Sequence, residues 1–167
     1  MKKYLVITLA VLAALACVSC EAADDDDFDP DYEGSIISFT VTSNVSGVAP
    51  MSFSWGQNTS SKATQVGNTL TLQARKNNRD DSPKISIVIN GLNTNAWVNT
   101  WPGCTMTIDI PDGDSTVGYT GTANVVITQR GGIMGEKTVG TFTGSVTHGD
   151  ETLTVAAGKI NLKYFEK

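Results

Sequence analysis

The sequence predicts an all-β protein, a two-sheet antiparallel β-sandwich of about nine or ten strands, with a β-barrel as the alternative architecture. Three observations predict it. Apolar residues alternate with Ser and Thr in one segment after another beyond residue 35. No window of comparable length repeats its apolar residues at the helical spacing of 3.6. Clusters such as Asn77-Asn78, Asn90-Gly91, Gly131-Gly132 and Gly149-Asp150 interrupt the alternation where turns are needed.

Taken in order, Ser38-Phe39-Thr40-Val41-Thr42 puts Phe39 and Val41 on one face and hydroxyls on the other. Side chains two apart on a strand share a face, so the segment is half-buried. Met51-Ser52-Phe53-Ser54-Trp55 repeats the scheme and assigns Trp55 to the core, and Thr69-Leu70-Thr71-Leu72 follows it. Ile85, Ile87 and Ile89 share a face, as do Cys104, Met106, Ile108 and Ile110. Further along, the apolar sets are Val117, Tyr119, Ala123, Val125 and Ile127, then Phe142 and Val146, then Leu153 and Val155, and finally Ile160, Leu162 and Tyr164. Thr fills the wet faces, where its branched side chain suits the pleat. A transmembrane barrel is set aside, because its outward faces would carry an aromatic girdle and its export signal would differ.

The chain ahead of this region has a different chemistry. Lys2 and Lys3 precede an apolar run, Tyr4 to Ala16, of about thirteen residues, too short for a span that needs about twenty. The pattern fits a secretory signal. Of 17 Asp and Glu, eight lie between Glu21 and Glu33 and nine follow, against ten of the 12 Lys and Arg after residue 35. The domain is therefore near +1, and the net charge of −5 comes from the acidic stretch. Like charges in a block repel and keep the chain extended. Residues 1–19 thus read as a signal peptide, 20–34 as a tether and 35–167 as one domain. In the tether, Asp27, Asp29 and Asp31 alternate as in a calcium loop, but Tyr32 stands where the turn glycine belongs and Ser38 where the bidentate Glu belongs.

Leu15-Ala16-Cys17-Val18-Ser19-Cys20 resembles the lipobox of bacterial lipoproteins, in which a cysteine thiol receives a diacylglycerol and becomes the new N-terminus. Cys20 is the preferred lipidation site, since the acids follow it directly, and Cys17, after Ala14-Leu15-Ala16, is the alternative. A cysteine followed by acids also resembles the surface-export signal of lipoproteins in Bacteroidota. That resemblance implies a lipid-anchored protein on the extracellular face of the outer membrane. Two or more acyl chains anchor stably without a transmembrane helix. The run from Gly118 to Phe165, with its GTFTG and GKINLKY strands, is similar to the ending of small Bacteroidota lipoproteins that bring no catalytic residues to carry over.

Chemistry is sparse in the domain. His148 is the one histidine, at a strand end with the parity of Phe142 and Val146 and two residues from Asp150, and no nucleophile motif accompanies it. One His and one remaining Cys make no familiar zinc site. With Cys20 lipidated, Cys104 is left as a small buried apolar residue; with Cys17 lipidated, Cys20 and Cys104 are the pair left to bridge. Nucleic acid is excluded by the near-neutral domain. Asp109, Asp112 and Asp114 cluster after a strand as weak calcium candidates, set against an ordinary Pro and Asp-Gly turn; no other cofactor is expected. Trp97 and Trp101, four apart amid amides and hydroxyls, are the ligand-binding candidates, a platform for sugar rings if exposed and core if not. The expected function is non-catalytic binding of a glycan or an envelope protein, with the membrane reached through the lipid. The alternative is a structural or accessory subunit of an outer-membrane assembly.

Overall fold

The alternation becomes strands in the computed structural model, which describes residues 34–79, 81–92, 99–113 and 115–166. Nine strands are present among them and no helix: β1 (Ile36–Ser43), β2 (Met51–Gly56), β3 (Lys62–Val66), β4 (Thr69–Arg75), β5 (Lys84–Ile89), β6 (Asn99–Asp112), β7 (Ser115–Gln129), β8 (Lys137–His148) and β9 (Glu151–Glu166). The all-β class is therefore the observed one. The signal peptide, Cys17, Cys20 and all of the tether except Gly34 lie outside the described residues.

The division into two separate antiparallel sheets does not occur. All nine strands belong to one mixed sheet, ordered β2-β1-β9-β3-β4-β5-β6-β7-β8, in which β8 also pairs with β9. The cause is the length of β9. One of its edges accepts β8 from Glu151 to Lys163. The other has room for β1, against Leu153 to Asn161, and then for β3, which adds in parallel against Tyr164 to Glu166. Alternation tells which face of a strand is dry, but not which strand lies beside it. Pairing thus closes a ring through β3, β4, β5, β6, β7, β8 and β9, while β1 and β2 branch from β9. A sheet whose apolar face has no helix to cover it must curl until that face meets itself. The inner rows, from Ile37 and Phe39 through Leu72, Ile87, Ile108 and Val125 to Ile160 and Leu162, form one buried cluster. Phe39 anchors its aromatic part, edge-on to Trp55 at 5.3 Å and 6.1 Å from Phe142.

Two bulges set which residues face inward. In β9, Ala157 has φ 52° and both neighbours skip a register there, so the inward row passes from Leu153 and Val155 to Ile160, Leu162 and Tyr164. What reads as two segments is one bent strand. In β6, Pro102 and Gly103 together oppose one residue of β7, between the pairs Trp101–Val125 and Cys104–Ala123. That extra residue turns Trp101 inward along with Cys104, Met106 and Ile108.

Strand directions give the molecule two ends. β1 leaves Gly34 and runs antiparallel to β9, so Gly34 lies where β9 finishes, together with the β3–β4 turn and the β7–β8 loop. We call this the proximal end. The β1–β2, β6–β7 and β8–β9 connections lie at the distal end. At 3.3 Å per residue, the sixteen residues of β9 have a contour of roughly 50 Å, the upper limit on the separation of the ends for a bent strand.

Between β2 and β3 the chain crosses the start of β1. Gly56, at φ 152°, passes so close that a Cβ would stand 2.0 Å from the Ser35 carbonyl oxygen. The following turn is fixed by polar side chains buried on the crossing. Asn58 Nδ2 donates to the carbonyls of Gly56 (3.1 Å) and Arg75 (3.0 Å). Its Oδ1 accepts from the Ser60 amide and the Ser61 hydroxyl. Ser35 Oγ donates to the Ser61 carbonyl at 2.7 Å and accepts from the Lys163 amide, tying the crossing to β9.

Candidate functional site: a polar groove at the distal end of the core

At the distal end the inward rows finish in polar residues. Ser43 continues the row of Phe39 and Val41, Glu151 precedes Leu153 and Val155, and His148 follows Phe142 and Val146. Tyr119 heads the row of Ala123 and Val125, and Asp112 ends that of Ile108 and Ile110. The five converge because their strands are neighbours in the sheet, although Ser43 and Glu151 are 108 residues apart. Met51, Ile110, Pro111, Asp112, Val117, Tyr119, His148 and Glu151 line the resulting groove, of about 370 Å³.

Glu151 is its centre. Ser43 Oγ donates to Oε1 at 2.7 Å, and the Tyr119 hydroxyl donates to Oε2 at 2.7 Å. The Val45 amide in turn donates to Ser43 Oγ at 3.1 Å. His148 stands opposite Glu151 in the β8–β9 register, its ring 5.6 Å from that of Tyr119. His148 Nδ1 is 2.9 Å from the Gly118 carbonyl. A carbonyl only accepts, so Nδ1 is the donor in this contact. Tyr119 is buried, 8 % exposed, whereas His148 and Asp112 are open to solvent.

These contacts move two titrations. The hydrogen bonds from Ser43 and Tyr119 lower the pKa of Glu151, with a smaller lowering by the charge of His148 and some opposition from desolvation. Burial first, then the bond to Glu151 and the charges of Glu151 and Asp112, push the Tyr119 phenol up to about 12. Tyr119 is thus held as a neutral donor and Glu151 as a carboxylate.

No known protein family, curated protein or solved structure matches the chain. The site must therefore be read from its own geometry.

A raised folded pKa favours the protonated state, so Tyr119 contributes stability that is fully present below about pH 10 and lost as pH rises through about 12. Glu151 has the opposite sense: its contribution is present above the ordinary carboxylate range and lost as pH falls through its lowered value. Ultraviolet titration of tyrosinate should show a component near pH 12 that Tyr119→Phe lacks. If the variant and the parent titrate alike, Tyr119 is not the buried donor described.

The residues singled out from sequence are placed differently. Trp101 is 9 % exposed and belongs to the core, because the Pro102–Gly103 bulge turns it inward, so it forms no exposed platform. Trp97 and Asp114 lie outside the described residues. Asp109 and Asp112 have opposite parity on β6; Asp109 pairs with Lys84 at 3.3 Å and Asp112 turns toward the groove, so the strand does not bring the two together. Cys104 is buried, its thiol donating to the Trp101 carbonyl at 3.3 Å, and burial raises its pKa. Ser43 and Glu151 have no place in the sequence reading, and Tyr119 enters it only as a member of an apolar row. The signal was there in the parity that ends each apolar row on a polar residue, but nothing in one row points to its partner rows.

Proposed function

We propose that this is a lipid-anchored, non-catalytic binding protein that presents the distal groove, away from the membrane, to a glycan. The anchor is Cys20, or Cys17, on the extracellular face of the outer membrane. The observation that carries the reading is the opposition of the two ends: the chain enters at Gly34, where β9 finishes, and the groove opens where β9 begins. A protein tethered through Gly34 holds that groove outward.

The lining favours a neutral polyhydroxylated ligand. Asp112, Glu151 and His148 line the groove together with apolar Met51, Ile110 and Val117, and among the described residues no Lys or Arg lines it. Glu151 uses one lone pair of each oxygen on Ser43 and Tyr119, which leaves further acceptor positions for ligand hydroxyls. Non-catalytic binding suits the same contacts. The lowered pKa makes Glu151 a poor base for Ser43, and His148 is committed through Nδ1 to the backbone.

The accessory-subunit reading is favoured by one observation, the exposure of Val45 and Val48 beside this end. A glycan array probed with the detergent-solubilised full chain, with and without calcium, separates the alternatives. Expected is binding to neutral glycans that falls at least tenfold in Glu151→Gln and in His148→Ala. Loss in Trp97→Ala with Glu151→Gln unaffected would move the site to residue 97. Silence in every condition would leave the accessory-subunit reading standing.

A further inference from the structure

The most exposed large apolar side chains of the described residues are Ile133 (70 %), Met134 (66 %) and Val66 (64 %). All three are at the proximal end. Val66 closes β3 at the β3–β4 turn, and Ile133 and Met134 form the tip of the β7–β8 loop. A hydrogen bond from Arg130 to Gln65 joins the two connections. Gly34, where the tether reaches the domain, is beside them: a Cβ there would stand 3.4 Å from Lys137 Nζ.

The tip is built outward. Glu136 accepts from the amides of Gly132 (2.8 Å) and Ile133 (3.2 Å), which closes the loop on its own carboxylate. The Gly135 amide donates to the Tyr164 carbonyl at 2.9 Å, and the Tyr164 amide donates to the Glu136 carbonyl at 2.7 Å. Gly131 lies against Tyr164, where a Cβ would meet the tyrosine Cβ at 2.7 Å. The loop is thus fastened to β9 on its inner side, with its two largest apolar side chains left in water. Lys62, Arg130, Lys137 and Lys163 lie toward this end, together with Glu136, which is already spent on the loop amides.

We infer that Ile133, Met134 and Val66 are a lipid-contacting foot: the proximal end rests on the bilayer surface, with these side chains at the acyl boundary and the lysines and arginine at headgroup phosphates. The inference rests on the lipid-anchor reading. The fourteen residue-to-residue steps from Cys20 to Gly34 reach at most about 50 Å, so an anchored domain never leaves the neighbourhood of the lipid. Three apolar side chains and a few cations bind a bilayer feebly when free. As a second attachment beside an acylated cysteine they act intramolecularly, where feeble contacts suffice. The foot fixes orientation, and with it the outward direction of the distal groove.

The test uses the lipidated full chain in vesicles of phosphatidylethanolamine and phosphatidylglycerol. An environment-sensitive fluorophore is attached at Met134→Cys and, for comparison, at Val48→Cys on the distal end; Cys104 is buried and does not compete for label, and a Cys20 left free by lipidation at Cys17 is removed as Cys20→Ser. A nitroxide carried in the bilayer should quench the label at 134 several-fold more than the label at 48. Equal quenching, in protein whose intact mass shows the acyl chains, overturns the foot and leaves the anchor reading in place. Shielding of position 134 from aqueous iodide without quenching from the bilayer assigns the tip to a protein contact and also overturns it. A mass without acyl chains removes the anchor reading, and the foot falls with it.

Discussion

Asn58→Ala is expected to lower the unfolding free energy by about 3 kcal/mol or more, a large part of a domain's usual margin. The side chain is 1 % exposed and makes four hydrogen bonds, two given and two received. Alanine removes them and strands the carbonyls of Gly56 and Arg75 and the Ser61 hydroxyl where water has little access, while the Ser60 amide keeps Asn78 Oδ1 at 3.2 Å. Each such group carries its own desolvation cost of about 1–3 kcal/mol. The loss should appear as a lower urea midpoint with an unchanged slope. A shift worth under about 1 kcal/mol would mean that water replaces the amide and that the crossing is held by Gly56 and Ser35 instead.

Gly158→Ala should cost about 2–3 kcal/mol through overpacking. Gly158 is buried beside the β9 bulge, and a Cβ there would stand 2.5 Å from both Cδ1 and the carbonyl oxygen of Phe142. Neither can retreat cheaply, since the ring belongs to the aromatic cluster with Phe39 and the carbonyl to the β8–β9 ladder. Combining Gly158→Ala with Phe142→Leu should recover about 1 kcal/mol relative to additivity, because the smaller side chain relieves only the ring contact. Strict additivity would show that the bulge, not the ring, absorbs the added methyl.

These two sites mark the limit of what alternation conveys. The inward faces of β1, β4 and β5 are plain in Phe39-x-Val41, Leu70-x-Leu72 and Ile85-x-Ile87-x-Ile89, because a period of two needs no knowledge of neighbours. The bulges are harder. Pro102-Gly103 marks a break, yet only the register with Val125 and Ala123 shows that it turns Trp101 into the core. Ala157 carries no such mark and takes a left-handed conformation that its neighbours impose. The single closed sheet was the least legible feature, since the three-residue parallel pairing of β3 with β9 has no local signature. The groove shares this difficulty: His148 drew notice as a strand-end residue, whereas Glu151 and Ser43 gain meaning only from the pairings that bring β1, β8 and β9 side by side.

The three-way pairing of β9 also governs when the protein can exist as a folded object. Until β9 is present, β1–β2 has no mate beyond itself, β3 has one neighbour instead of two, and the free edge of β8 stays open. Synthesis from the N-terminus therefore delivers eight strands that cannot close, and the contacts that close them join residues separated by most of the chain. Such long-range closure is slow. A nascent chain that postpones folding in this way remains threadable, as the secretory route proposed above would require of it.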